Sequence, residues 1–411
     1  VFLKHALENG LNVIAEVSPD AHSAAIGFFV RTGARDESDD VAGVSHFLEH
    51  MVFKGTPTRT AQDVNREFDE MGAHYNAFTS EENTVYYAAI LPEFTDRAVG
   101  LLGDILRPSL RPEDFETEKQ VILEEIKMYE DQPPYGADDR CRAAYFADHP
   151  LGHSVLGTAK SVGGLTVEAM RAYFERRYTP QNITLAAAGK IDFEQLVQSA
   201  RRYCGGWQPT EARREIASPT PRTGFNVLEK PQATQEYVIQ LTNAPSATDD
   251  HRYAAKLLAT ILGDDTGSRL YWELVDPGQA EHASVTHYEY DGAGIFLTYL
   301  SCTPENTANN LNRVLEVYRR CEAEGVTPAE LNQAKRKVES RVVLSSERPR
   351  SRLFSVGINW LHRQRYLTVR DDLDALAAVT VEQVADLLDQ YPLSRSMTIA
   401  VGPLANVAAP A

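Results

Sequence analysis

The sequence predicts an α+β protein of two homologous domains, each an antiparallel-rich sheet packed with helices. Three observations predict it. Apolar residues recur with periods of 2 and 3.6 in mixed runs, not in the strict alternation of a doubly wound sheet. Three pairs of segments recur in the same order at offsets of 212 to 216 residues. Between the copies lies "GGWQPTEARREIASPTPRTG", a Gly-, Pro- and charge-rich stretch of linker composition. It places the domain boundary near residue 215, giving an N-terminal domain of 1–215 and a C-terminal domain of 216–411. A chain of 411 residues is also long for one compact domain.

In chain order, period-2 stretches place strands near 11–17 and 23–31, and helical spacing follows near 41–53 and 60–71. "AHYNAFTSEENTVYYAAIL" reads as a hairpin, followed by helices near 94–106 and 111–131, a helix near 166–177 and a strand at "NITLAAAG". The second half repeats the plan. "FLTYLSCTPENTANNLNRVLEVY" around Pro304 resembles "YYAAILPEFTDRAVGLLGDIL" around Pro92, each a strand, a Pro-Glu turn and a helix. "VTPAELNQAKRKVESR" resembles "LRPEDFETEKQVILEE", and "TVEQVADLL" to "MTIAVG" resembles "TVEAMRAYF" to "ITLAAAG". Such self-similarity implies an internal duplication.

Composition narrows the function. With 58 acidic against 41 basic residues the formal net charge is −17, and no basic stripe interrupts it, which excludes nucleic acid as a partner. No apolar run approaches the roughly 20 residues that span a bilayer, and the N-terminus lacks a signal-peptide core, so a soluble chain is expected. A presequence removed earlier would leave no trace here. Cys141, Cys204, Cys302 and Cys321 are scattered without a CxxC pair. That argues against a thiolate zinc site and favours a reducing, cytoplasmic compartment. Any metal must therefore use histidine and carboxylate.

"GVSHFLEHMVFKGT" supplies both. His46, Glu49 and His50 lie at i, i+3 and i+4 and project from one side of a helix, so the two imidazoles can chelate one ion. Glu49 is placed to take a proton from a water that the metal activates. The duplication offers a control: the equivalent positions fall on or near Leu258, Ile261 and Leu262 in "AAKLLATILGDD". A helix that is apolar there in one copy is a buried helix, and ionisable groups on a buried face need a partner or an ion. The HxxEH spacing arises by chance in roughly a few per cent of such chains, so a third ligand is required. In "FETEKQVILEEIKMYED", Phe115, Ile122, Ile126 and Tyr129 mark an apolar side that also carries Glu118 and Glu125. Glu125 is the candidate ligand and Glu118 a supporting carboxylate, whereas Glu124 projects with Val121 and Met128 as a solvated residue. His149 and His153 in "DHPLGH" fit a cleft-shaping loop better than a second metal site.

HxxEH followed about 75 residues later by "VILEEI" resembles the inverzincin metallopeptidases, the pitrilysin and insulysin type, and is most similar to the processing-peptidase branch. The likeness extends over "GAHYNAFTSEENTVYY", "DHPLGHSVLG" and "TPQNITLAAAG" to nearly the whole chain. It implies two α+β domains forming half of a clamshell, one Zn²⁺ per chain held by His46, His50 and Glu125, and Glu49 as general base. It further implies a peptide substrate adding as a strand along Asn76, Ala77 and Phe78, and a homodimer or a heterodimer with a homologous subunit enclosing a chamber. The implied function is a zinc endopeptidase of short or extended peptides. The alternatives are a non-catalytic scaffold subunit of the same fold, or a subunit active only with a non-identical partner.

The likeness fails at one place. Active relatives carry an Arg and a Tyr seven apart in the second domain that hold the substrate carbonyl. In "GSRLYWELVDPGQAEHAS", Ser268, Arg269 and Leu270 match, but Val275 and His282 stand at the Arg and Tyr positions. Three outcomes stay open: a partner subunit supplies the pair, His282 with His287 supplies the donor, or the activity is weak or altered.

Overall fold

The computed structural model describes residues 1–410. In the first half, β1 (Phe2–Ala6), β2 (Asn12–Val17) and β3 (Ala24–Val30) precede α1 (Val44–Val52) and α2 (Ala61–Glu70). The hairpin β4 (His74–Thr79) and β5 (Thr84–Ile90) leads to α3 (Thr95–Ile105), α4 (Pro112–Asp131), α5 (Ala137–Phe146), α6 (Ala159–Gly164) and α7 (Val167–Arg177), then β6 (Ile183–Gly189) and α8 (Phe193–Cys204). The second half runs β7 (Gly224–Glu229), β8 (Glu236–Asn243), α9 (Arg252–Gly263), β9 (His282–Tyr290), β10 (Ala293–Cys302), α10 (Thr307–Glu324), α11 (Pro328–Ser346), α12 (Pro349–Arg363), α13 (Val369–Ala378), α14 (Val381–Gln390) and β11 (Met397–Gly402). Several of these elements escape the periodic reading, β1, α5, α6, α8 and α12 among them. The residues of β1 are half-buried or exposed, so it carries no apolar alternation. α8 has a regular inward face of Leu196, Ser199, Ala200 and Cys204.

The two sheets share one strand order. The first runs β1-β2-β6-β3-β5-β4 and the second β7-β11-β8-β10-β9. Each is antiparallel except for one parallel pair, β2 with β6 and β7 with β11. Leaving β1 aside, the orders superimpose strand for strand, as a duplication requires. Both sheets end on an edge strand, β4 in the first and β9 in the second, paired on one side only.

The chain forms two compact units, and they are not its two contiguous halves. The first unit takes Val1–Lys127, His153–Glu215 and Leu344–Leu367; the second takes Met128–Gly152, Ile216–Val343 and Thr368–Ala411. The linker-like stretch does mark one boundary, but the simple division at residue 215 has to be corrected: α12 belongs with the first sheet and α5 with the second. The cause is burial. Strands β3 and β6 are buried along their whole length, so helices on one face cannot cover the sheet. From α12, Leu353, Val356, Trp360 and Leu361 cover Ile14, Phe29, Val85 and Ala186 on the second face. In the other unit, Cys141, Tyr145 and Phe146 of α5 cover Ile239, Leu241, Ile399 and Val401 in the same way. The stretch of linker composition is irregular but not free, because buried Arg214 donates to both carboxylate oxygens of Asp36, at 3.0 and 2.7 Å.

Candidate metal centre

The helix α1 is fixed before it offers any ligand. Its N-cap Gly43 has φ +92°, and a Cβ there would meet the Leu156 carbonyl oxygen at 2.6 Å. The first-turn amides of Gly43 and Ser45 donate to the carboxyl oxygens of buried Glu37 at 2.6 and 2.7 Å, which satisfies two orphan donors; burial outweighs these bonds and pushes the Glu37 carboxyl up to about 8. Ser45 Oγ, Tyr173 Oη and Thr32 Oγ1 form a buried chain with 2.7 Å steps. Phe47 stacks on Phe115 of α4, centroids 4.6 Å apart, and turns the remaining face of α1 towards that helix.

On that face the geometry converges. His46 Nε2 and His50 Nε2 lie 3.8 and 3.7 Å from Glu125 Oε2, and the three donor atoms all fall within 4.8 Å of one another. A tetrahedral zinc with bonds of 2.0–2.1 Å separates its ligand atoms by about 3.4 Å. The three groups are therefore spaced as ligands around an ion, not as hydrogen-bonded neighbours. Burial, with a smaller contribution from His50, pushes the His46 imidazole down to about 4, so it is neutral at pH 7 with a lone pair to give. Glu118 Oε1 accepts from His50 Nδ1 at 2.8 Å, which leaves Nε2 as the lone-pair nitrogen. Its other oxygen pairs with Lys54 Nζ at 2.5 Å. Burial raises the Glu118 carboxyl, but the hydrogen bonds from Lys54 and His50 outweigh it and the net shift is downward. The donor set thus fits a zinc ion.

Glu49 stands beside this set. Its Oε2 accepts from Thr79 Oγ1 at 2.7 Å. Burial raises its proton affinity; hydrogen bonding to Thr79 and the charge of His50 oppose the rise, and the net shift is upward. Asn76, Ala77 and Phe78 lie on edge strand β4. Asn76 and Phe78 are exposed, and Ala77 turns into the core. Glu124 is exposed; His149 bonds the Ala217 carbonyl through Nε2 at 3.0 Å and accepts the Leu151 amide on Nδ1 at 3.2 Å, and His153 bonds the Ala34 carbonyl through Nδ1 at 3.2 Å and faces Asp39 through Nε2 at 3.3 Å, so both nitrogens of each ring are engaged. Three residues escape sequence reasoning: Thr79, Lys54 and Glu37. Only Lys54 carries a signal, since it lies one turn beyond His50.

The second unit carries the same helix pair without the donors. Leu258, Ile261 and Leu262 of α9 are buried, and α11, aligned on its own starting proline and on Leu331 and Val338, carries Ala334 and Arg341 at the register of Glu118 and Glu125; Arg341 pairs with Asp264. Lys337 Nζ binds Asp264 at 2.8 Å, and Arg269 grips Glu330 through two bonds of 2.7 and 3.0 Å. A cavity of about 170 Å³ remains between these groups, flanked by Trp272. Val275 lies in a π-helical turn, Tyr271–Val275, packed against the core. His282, the first residue of β9, is exposed beside Tyr299. His287 has to be set aside as a donor to substrate, because its Nε2 is bound to the Pro245 carbonyl at 2.8 Å.

Two α+β units of one strand order, with an inverted His-x-x-Glu-His helix facing a carboxylate helix in the first, define a two-domain metallopeptidase architecture. The chain belongs to peptidase family M16, the insulinase family: residues 12–159 match Insulinase (Peptidase family M16) and residues 164–338 match Peptidase M16 inactive domain. An uncharacterized zinc protease of Mycobacterium leprae is 34% identical over 408 residues, covering 97% of this chain and 91% of that protein. Another, from Bacillus subtilis, is 30% identical over 390 residues, covering 94% and 95%. Among solved structures, a protease from Helicobacter pylori has a TM-score of 0.90 at 19% identity, covering 98% of this chain and 99% of its own. Among the described residues, no helix is long and apolar enough to cross a membrane.

Proposed function

We propose that the chain is a zinc endopeptidase of extended peptides, with one Zn²⁺ held by His46, His50 and Glu125 and with Glu49 as general base. The observation that carries it is the triangle of donor atoms within 4.8 Å on helices that are otherwise apolar-packed. Once bound, the metal supplies a Lewis acid that polarises the scissile carbonyl and acidifies water. The chain does the rest. A peptide pairs with the free edge of β4, its backbone held by the strand and its side chains selected by neighbours such as Phe78. The Glu49 carboxylate takes the proton of the attacking water and hands it to the departing amine. Glu118 keeps the His50 ring in its tautomer.

The reading extends to a processing-peptidase-like dimer. Val275 and His282, where an Arg and a Tyr would steady the carbonyl, favour a second subunit as the source of those donors. A scaffold role is opposed by the retained ligand set. The test is to purify the chain, measure zinc, and follow cleavage of fluorogenic peptides by wild type and Glu49→Gln. Stoichiometric zinc with cleavage lost in the variant is expected; zinc with no cleavage until a homologous subunit is added would assign the missing donors to a partner. Absence of zinc would end the reading.

A further inference from the structure

The hydroxyl of Thr79 has no place in the ligand set and no role in the core, yet it points at the Glu49 carboxylate. Thr79 is the last residue of edge strand β4 and faces Thr84 across the hairpin. The next residue, Ser80, donates its amide to Asn83 at 2.8 Å and so closes the hairpin. In an antiparallel pair, inward and outward amides alternate. The amides of Thr79, Ala77 and Tyr75 therefore face the free edge. The Ala77 amide is met by its neighbour Asn76 Oδ1 at 2.9 Å, and from Thr79 it is the hydroxyl that donates, Oγ1 to Glu49 Oε2 at 2.7 Å.

We infer that Thr79 is the positioning residue for the Glu49 carboxylate, and that by holding Glu49 through its hydroxyl at the end of β4 it sets the register between a bound peptide and the base. A peptide strand added to the edge of β4 runs along it to Thr79, the last residue of the strand, and the Thr79 hydroxyl fixes where beside that strand the carboxylate stands. Thr79 is held in turn. Its Oγ1 lies 3.5 Å from Thr84 Oγ1, and the Thr84 hydroxyl donates to the buried Thr32 carbonyl at 2.9 Å. As a β-branched residue Thr79 is also restricted at χ1.

This inference rests on the assignment of Glu49 as base, and the test separates the two. Thr79→Val keeps the shape and removes the donor; Thr79→Ser restores it. For the zinc-loaded protein on a fluorogenic peptide, Thr79→Val should lower kcat about 10- to 100-fold with KM within about twofold of wild type, since loss of alignment acts on the step and not on binding. Zinc content and thermal midpoint should stay at wild-type values, and Thr79→Ser should recover most of kcat. Cleavage sites mapped by mass spectrometry should spread to neighbouring bonds in Thr79→Val, because the register is no longer pinned. An unchanged kcat and an unchanged cleavage map in Thr79→Val would overturn the inference. A parallel rise in KM that Thr79→Ser does not recover would also overturn it, by making Thr79 merely part of the edge strand. Failure of the underlying reading looks different: wild type and Glu49→Gln would then cleave alike.

Discussion

The helix pair α1 and α4 and the pair α9 and α11 occupy the same place in two sheets of one strand order, but they solve the problem of buried polar groups in opposite ways. In the first unit, His46, His50 and Glu125 face each other at spacings too long for hydrogen bonds, and His46 Nδ1 is buried without a partner. In the second, the apolar residues of α9 remove the donors, and the place where the ligand carboxylate would stand holds Arg341, paired with Asp264 beside Lys337. The difference teaches where the cation comes from. One unit keeps it as part of the chain; the other leaves a triangle of acceptors spaced to take an ion from solution, and buried acceptors left without either are expensive.

The comparison can be broken most severely at Glu125. Glu125→Gln should abolish zinc binding and peptide cleavage together, read by metal analysis after gel filtration and by the fluorogenic assay. Retained zinc in that variant would place the ion elsewhere. A smaller effect is expected from Glu118→Gln, which leaves the ligands but frees the His50 ring. Zinc affinity should weaken about 10- to 100-fold by competition with a chelator, and wild-type affinity would mean that the His50 contact has no tuning role. On the second unit, Lys337→Met should leave zinc content untouched and lower stability by about 1 kcal/mol, since the Lys337–Asp264 pair is half-exposed and Arg341 still covers Asp264. Loss of zinc in this variant would tie the two centres together.

The smallest effect is a pH dependence in the second unit. Burial would raise the Glu330 carboxyl, but hydrogen bonds from Arg269 and Thr327 carry it down to about 2, below its value of 4.5 in a free chain. A depressed carboxyl contributes stability above the unfolded value and loses it as pH falls. The contribution should therefore be present at pH 6 and fade from about 4.5 towards 2, and Glu330→Gln should flatten that part of the acid denaturation curve. An identical curve in the variant would contradict the pairing.

Much of this was legible in residues. The HxxEH helix, its apolar twin and the inward side of α4 were readable because helical period and the second copy act on neighbouring positions. Strand order followed less directly, yet the repeated segments pointed to two sheets of one plan. What escaped shares a cause. Thr79 reaches Glu49 across 30 residues, Glu37 caps α1 from a preceding loop, and α12 leaves its own half to cover Phe29 and Val85. None of these contacts imposes a period on the sequence, so only the fold can reveal them. His287 failed for the same reason: its partner is a backbone carbonyl 42 residues away.

The central claim is that the first helix pair holds an ion and the second does not. Metal analysis of the purified chain beside a His46→Ala/His50→Ala variant tests it most directly. One zinc per wild-type chain and none in the variant, with both chains folded by circular dichroism, is the predicted result. Equal zinc in both, or two per wild-type chain, would contradict it.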